Sequence, residues 1–98
     1  MPFDNPVPRA FTATSIREHA PPSGGVYGLS NAREWVFIGS TENIQHTLYM
    51  HLEERDTSLT RRAPMGFVFE PCHASVRGLR CQRLIAEYTP VCNGSRAG

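Results

Sequence analysis

Lysine is absent from the chain. All ten basic residues are arginines, nine residues are acidic, and the formal net charge is +1. This near balance excludes the global cationic field that is typical of many nucleic-acid-binding proteins. Arginine suits phosphate and planar contacts better than lysine does. A coding bias of the source genome explains the uniform arginine more simply, and we favour that explanation.

Long apolar runs and paired cysteines are absent as well. No run of about 18 apolar residues occurs, so we predict no membrane span, and residues 1–9 lack the apolar core of a secretory signal. Cys72, Cys81 and Cys92 form an odd set without close pairing. This argues against a disulfide scaffold and favours a reducing compartment. We therefore expect a cytoplasmic protein without membrane contact.

The 98 residues suit one small domain with a modest core. Three prolines interrupt residues 1–9, so we interpret residues 1–22 as a loose arm and a short lead-in, with a short helix or turn at residues 11–19. We expect the domain itself at residues 23–93 and a disordered tail at residues 94–98.

Apolar periodicity and Gly or Pro punctuation predict five elements in the domain. In order, they are strands at 26–29 and 34–38, a helix at 42–54, a strand at 65–70, and a helix from 74 or 75 to 88. We expect Gly39 to end the second strand and Ser40 or Thr41 to cap the first helix. Trp35 and Phe37 alternate on one strand, which predicts that both face one side of the sheet.

The fold class that follows is α/β (α+β). The order β-β-α-β-α predicts a small two-layer domain in which helices flank a three-stranded sheet. The first two strands are close enough to form an antiparallel hairpin.

The histidines and cysteines predict no structural zinc site. Cys72 and His73 are adjacent, and His46 and His51 are five apart, which places them off a shared helical face. No pattern places a base beside Cys72 or Cys81, so we expect no nucleophilic cysteine.

Two parts of the chain carry a motif. The first is Gly25-Val26-Tyr27, followed ten residues later by Phe37-Ile38-Gly39 and then by STENIQHTLYMH at residues 40–51, and the second is the spacing of Leu84-Ile85, Pro90 and Asn93. Together and in this order they resemble the GIY-YIG nuclease superfamily over residues 23–93. The resemblance implies a GIY-YIG-like fold and metal-dependent cleavage of DNA phosphodiesters.

The resemblance also implies roles for single residues. Tyr27 falls on the tyrosine that acts as a general base or assists one. Asn93 falls on an asparagine that supports the arrangement, and His51 matches the histidine that closes the first motif.

Three positions depart from the family pattern. Phe37 replaces the second tyrosine, Thr47 stands where the family has a phosphate-neutralising arginine, and Cys81 stands where a glutamate holds the divalent metal. Phosphodiester cleavage builds negative charge that needs a cation, and Cys81 is a poor ligand for Mg²⁺. We therefore predict no metal site and no cofactor, with Mg²⁺ bound only if nuclease activity is retained.

Three arginines are candidate nucleic-acid contacts. Arg77 precedes Cys81 by one helical turn and could direct its guanidinium into the metal position. Arg61 and Arg62 precede the third strand and could approach a phosphate. Exposed surface arginine is the plainer interpretation of all three.

We name the surface formed by Tyr27, Phe37, Thr47 and Cys81 the remnant groove. The favoured function is a degenerate, catalytically inactive GIY-YIG-like domain that binds DNA or another protein through this groove. One alternative is a divergent metal-dependent DNA endonuclease that has recruited Arg77 or Glu54. A second is a small protein-interaction domain, which the weak net charge keeps open.

Overall fold

The computed structural model describes Phe3 and residues 7–55 and 57–94. Residues 95–98 of the tail predicted at 94–98, and five of the first six residues of the predicted arm, lie outside this described part, whereas Gly94 belongs to a short helix. No helix in the described part is long and apolar enough to cross a membrane.

In the described part of the chain, the sheet has four strands. They are β1 (Arg9–Ala10), β2 (Gly25–Ser30), β3 (Trp35–Thr41) and β4 (Gly66–Pro71), in the spatial order β1-β4-β2-β3. All three pairings are antiparallel. The predicted count of three strands was one too few because β1, with only two residues in a proline-rich arm, gives no detectable periodicity.

Five helices accompany the sheet within residues 7–55 and 57–94. They are α1 (Ala13–His19), α2 (Ile44–Glu53), α3 (Ser58–Arg61), α4 (Ala74–Tyr88) and α5 (Val91–Gly94). The fold class is confirmed as a small α+β domain with a helix-flanked sheet. The segment between the predicted helix at 42–54 and the predicted strand at 65–70 contains α3, which is too short to show a helical period.

Helices lie on both faces of the sheet, not on one side of a two-layer domain. On one face, Ile16 of α1 and Leu48 of α2 are fully buried against Tyr27 and Leu29. On the other face, Cys81 and Leu84 of α4 pack in a second apolar cluster. That cluster also contains Val26, Ile38 and Val68. Successive side chains of a strand point to opposite faces, so β2 and β3 supply both clusters.

The second strand is longer than predicted, and the helix after it starts later. Gly39 lies within β3 opposite Tyr27, and a Cβ there would lie 2.8 Å from the Tyr27 hydroxyl. The N-cap of α2 is Asn43, whose side chain accepts a hydrogen bond from the His46 N–H at 2.9 Å. Because Thr41 still belongs to the strand, neither it nor Ser40 caps the helix.

A register shift between Leu29 and Ser30 separates the two aromatic residues of β3. Trp35 packs on the α4 side, with its ring centroid 4.7 Å from that of Tyr88, whereas Phe37 packs on the α2 side. The prediction that both share one face was wrong because a bulge adds a residue to one strand and reverses the alternation.

Candidate functional site

A chain of three side chains joins β2 to the end of α2. The Tyr27 hydroxyl is 2.7 Å from Nε2 of His51, and Nδ1 of His51 is 3.1 Å from Oε1 of Glu54. Tyr27 is 3% exposed, and the His51 and Glu54 side chains are 14% and 37% exposed. The chain therefore leads from the interior to solvent, with each ring nitrogen of His51 hydrogen-bonded.

Burial changes the acidity of Tyr27. Desolvation raises the pKa of this phenol far above its ordinary value, and electrostatic interactions with Cys81 and Glu54 raise it further. Tyr27 is therefore a neutral phenol at neutral pH and shares its proton only through the hydrogen bond to His51.

Phe37 occupies the same side of the sheet as this chain. Its ring centroid lies 5.6 Å from that of His51 and 6.2 Å from that of Tyr27. The ring lines a cavity of about 200 Å³, together with His51, Glu54, Thr57, Ser58, Leu59 and Cys92. Since Phe37 has no hydroxyl, it offers an aromatic surface and no hydrogen bond.

The Thr47 hydroxyl is engaged within the protein. Its Oγ1 lies 2.6 Å from Oγ1 of Thr41, at the end of β3, and the Thr41 hydroxyl also donates to the carbonyl oxygen of Asn43 at 3.3 Å. This position therefore presents a neutral hydroxyl pair. Thr41 was expected only as a possible helix cap, because the predicted strand ended at Gly39.

Cys81 is 8% exposed and lies in the apolar cluster on the α4 side of the sheet. Tyr27 and Phe37 belong to the cluster on the α2 side, yet Cys81 is close enough to act electrostatically on Tyr27. A thiol in apolar surroundings is a poor donor for Mg²⁺, which prefers hard oxygen ligands. Within the described residues, no group of three or more His, Cys, Asp or Glu side chains is arranged to hold a metal ion. The donor set at this site does not fit a divalent metal.

Arg77 packs against the end of the sheet next to this site. A Cβ on Gly24 would lie 2.7 Å from Cζ of Arg77 and 3.2 Å from the carbonyl oxygen of Thr41. The Nε atom of Arg77 is buried and makes no hydrogen bond within the described part of the chain. Arg77 is thus half-buried rather than a solvated helical arginine, and Gly24 makes room for its guanidinium.

Arg61 and Arg62 lie elsewhere. Arg62 pairs with Glu34 at 3.5 Å, and its carbonyl oxygen accepts from Nδ2 of Asn31 at 2.7 Å. Asn31 and Glu34 belong to the turn between β2 and β3, at the opposite end of the hairpin from Thr41. Arg61 is exposed at the end of α3. The structure therefore does not bring Arg62 to the end of the sheet that holds Arg77.

Asn93 ties α5 to the edge of the sheet. Its Oδ1 accepts from the Ile38 N–H at 2.7 Å, and its Nδ2 donates to the Ile38 carbonyl oxygen at 2.9 Å. The side chain thus satisfies both backbone groups of one β3 residue.

The comparisons with known proteins agree with this architecture. No protein-family model matches the chain, and a search of curated proteins found no similar sequence. Among solved structures, the GIY-YIG N-terminal endonuclease domain of UvrC from Thermotoga maritima, bound to its catalytic magnesium, is 21% identical, with a TM-score of 0.59 over 76% of this chain and 91% of that one. Two point mutants of that domain, bound to the catalytic divalent cation, match at 20% and 22% identity with the same TM-score.

Identity at this level is evidence about fold only. The paired β2 and β3 strands, the helix that follows them and the later helix with Asn93 beyond it lie in the order that the sequence motif predicted. The chain therefore has a GIY-YIG-like fold.

Proposed function

We propose that this chain is a GIY-YIG-like domain that binds nucleic acid and does not cleave it by the metal-dependent route. The proposal rests on the surroundings of two residues, Thr47 and Cys81. Thr47 is hydrogen-bonded to Thr41 at 2.6 Å, and Cys81 is buried in an apolar cluster. Thr47 supplies no cation, and Cys81 supplies no hard oxygen ligand.

The chemistry explains why these two positions matter together. Charge on the phosphoryl oxygens grows in the transition state, and each preorganised group that stabilises such charge is worth about 10² to 10³ in rate. Loss of the arginine and of the metal ligand removes two groups that act on the same charge. Because groups that act as a unit are not additive, restoring one alone is expected to do little.

Arg77 is the residue that best supports nucleic-acid binding. Its guanidinium is held against Gly24 and near the Thr41 carbonyl, and its Nε–H still needs an acceptor. A phosphate oxygen is a strong acceptor for a guanidinium. We propose Arg61 and Arg62 as outer contacts with nucleic acid at the turn end of the β2–β3 hairpin. Arg62 already forms an ion pair with Glu34 there.

A binding and nicking experiment tests the proposal. Fluorescence anisotropy with a short single-stranded DNA should show binding that weakens with salt, and supercoiled plasmid should stay intact in Mg²⁺. Arg77→Gln should weaken binding severalfold and reduce the salt slope by about 0.7, the value for one phosphate contact on a single strand. Arg17→Gln, on the exposed side of α1, is the matched control. Mg²⁺-dependent nicking that disappears in Tyr27→Phe would overturn the proposal.

A divergent endonuclease with relocated catalytic groups is the second candidate. The chain Tyr27–His51–Glu54 favours it, because a histidine in hydrogen-bond reach of a hydroxyl and oriented by a carboxylate is a general-base arrangement. This candidate predicts Mg²⁺-dependent nicking that falls at least 10²-fold in His51→Gln. Plasmid that stays intact in Mg²⁺ excludes it.

Two further predictions, a protein partner and a cytoplasmic location, have direct tests. A protein partner in place of nucleic acid is supported if no DNA or RNA probe binds at low salt while a defined protein does. The cytoplasmic location stays a prediction, which cell fractionation checks.

A further inference from the structure

The cavity beside Phe37 is lined by three helical elements and opens to solvent. The end of α2 contributes His51 and Glu54, α3 and its N-cap contribute Thr57, Ser58 and Leu59, and α5 contributes Cys92. Its volume of about 200 Å³ is below the roughly 300–1,000 Å³ of pockets that enclose drug-sized ligands. The cavity therefore suits one planar ring system and not a whole nucleotide.

The walls of the cavity are held in place before any ligand arrives. The Cys92 thiol donates to the Ser58 carbonyl oxygen at 3.6 Å, which joins α5 to α3. Thr57 and Thr60 form a reciprocal capping box that fixes the first turn of α3. A preorganised wall lowers the entropy cost of binding, so this cavity is a formed site and not a gap between mobile loops.

The chemistry of the walls is specific. Phe37 presents an aromatic ring on which another ring can stack. Glu54 is an acceptor-only carboxylate, and one of its oxygens is occupied by Nδ1 of His51, which leaves the second oxygen for a donor. Both nitrogens of His51 are engaged. The cavity therefore combines a stacking surface with a hydrogen-bond acceptor.

From this combination we infer that the cavity binds one unpaired nucleobase that carries an exocyclic amine. The base stacks on Phe37, and its amine donates to Glu54. Cytosine and adenine present such a donor, whereas thymine presents a carbonyl oxygen and a methyl group at the corresponding edge. This inference rests on the proposed function, because it supplies the base contact that accompanies the phosphate contact at Arg77.

The position of the cavity agrees with a single strand of nucleic acid that runs along β3. Phe37, Gly39 and Thr41 succeed one another on one face of that strand. At about 3.3 Å per residue, Phe37 and Thr41 are separated by about 13 Å. This spacing places the base site near one end of β3 and Arg77 near the other end. Such a strand would pass the Tyr27 hydroxyl, which lies over Gly39.

Single-base substitution in an oligonucleotide separates base binding from phosphate binding. The probes are a fluorescein-labelled (dT)10 and the same strand with one central dC or one central dA. We expect the substituted strands to bind about 5- to 10-fold more tightly, in the range of a single good base contact. Glu54→Gln should remove this preference, whereas Glu53→Gln, an exposed neighbour on the same helix, should keep it. Phe37→Leu should weaken binding of all three strands.

The possible outcomes are distinct. If all strands bind equally and Glu54→Gln changes nothing, the base site is wrong, and the proposed function of nucleic-acid binding stands. If no strand binds at low salt, the proposed function fails and the base site fails with it. A preference that survives Glu54→Gln but is lost in Phe37→Leu also overturns the assignment of the amine to Glu54.

Discussion

At the scale of single residues, burial decides what Tyr27 is able to do. Tyr27 carries the phenol of the β2–β3 hairpin, and its environment keeps this phenol protonated. The hydrogen bond to His51 gives the proton a path to Glu54 and to solvent. A phenol held in this way is a positioning group or a proton donor, and it becomes an anion only if the proton leaves through His51.

The stability of the protein should fall at high pH because of Tyr27. Below the ordinary tyrosine pKa of about 10, the phenol is neutral in both the folded and the unfolded chain, so it adds no pH dependence. Above that value the unfolded chain ionises first, since the folded pKa is raised. The free energy of unfolding should then fall by up to about 1.4 kcal/mol per pH unit from this group.

Urea unfolding between pH 9 and pH 11, values chosen around the tyrosine pKa of about 10, measures this effect. Tyr27→Phe should remove most of the decline. Tyr49→Phe, which removes a hydroxyl whose only bond in the described part of the chain is at 3.4 Å on the surface, should keep it. Equal declines in the two variants would contradict the assignment to Tyr27.

At the scale of elements, two glycines in β2 and α4 should respond oppositely to alanine. A Cβ on Gly25 would overlap the Glu70 carbonyl oxygen and lie 2.8 Å from Cα of Pro71, both of which are backbone atoms. A Cβ on Gly78 meets nothing within 4 Å. Gly78→Ala should therefore stabilise the protein by about 0.5–1 kcal/mol, whereas Gly25→Ala should destabilise it by more than about 1 kcal/mol.

Thermal unfolding of the pair is the measurement. For a domain of this size, a change of about 1 kcal/mol in the free energy of unfolding shifts Tm by about 4–8 °C. The Tm values of the two variants should therefore differ by more than this shift. A rise in Tm for Gly25→Ala would show that β4 moves away from β2 at little cost.

The edge of the sheet at β3 depends on Asn93. Both backbone groups of Ile38, a fully buried residue, bond to this amide. Asn93→Ala leaves them without these partners, and each unsatisfied group costs about 1–3 kcal/mol. We expect a loss of about 2–4 kcal/mol and faster hydrogen exchange at the Ile38 amide. Asn93→Asp keeps the acceptor and should protect that amide better than alanine does. Unchanged exchange in Asn93→Ala would exclude this role.

At the scale of the whole molecule, the ion pair between Glu70 and Arg80 links β4 to α4. Two bonds of 2.7 Å join the carboxylate to the guanidinium, and both side chains are largely buried. Asn93 follows α4 in the sequence and bonds to β3. Together, the ion pair and Asn93 hold the later helices against the sheet. The scaffold of a nuclease-like fold is therefore maintained independently of the residues that cleavage would need.

Reconstruction of the cleavage groups tests whether this scaffold still accepts them. The triple variant Phe37→Tyr, Thr47→Arg and Cys81→Glu should bind Mg²⁺ and nick plasmid weakly. Without metal its Tm should fall, because a carboxylate then lies in the apolar cluster around Cys81. Added Mg²⁺ should raise the Tm, since a ligand that binds only the folded state stabilises it.

The same variant with Tyr27→Phe is the control and should bind Mg²⁺ without nicking. A triple variant that folds and binds Mg²⁺ but cleaves nothing would show that the assignment of these three positions is wrong.

Local sequence patterns were sufficient for much of the fold. The later of the two predicted domain helices, α4, was predicted to end at Tyr88 and ends there. The β2–β3 hairpin was located from β-branched and aromatic residues with a polar turn between them. These features depend on neighbours along the chain, where periodicity, capping and turn chemistry act. The missing β1 and the bulge at Leu29 depend on pairing with distant residues, which no local pattern encodes.

For the candidate site, the sequence by itself determined which chemical groups are available. It fixed a threonine, a cysteine and a phenylalanine at three positions of the motif, and it placed His51 and Glu54 one helical turn apart. Only the tertiary structure decided how those groups are used: that Thr47 bonds Thr41, that Cys81 faces a different side of the sheet, and that Arg77 is wedged beside Gly24. The reason is physical, because side-chain identity is a property of the chain, whereas burial and hydrogen-bond partners arise from contacts between elements that are far apart in sequence.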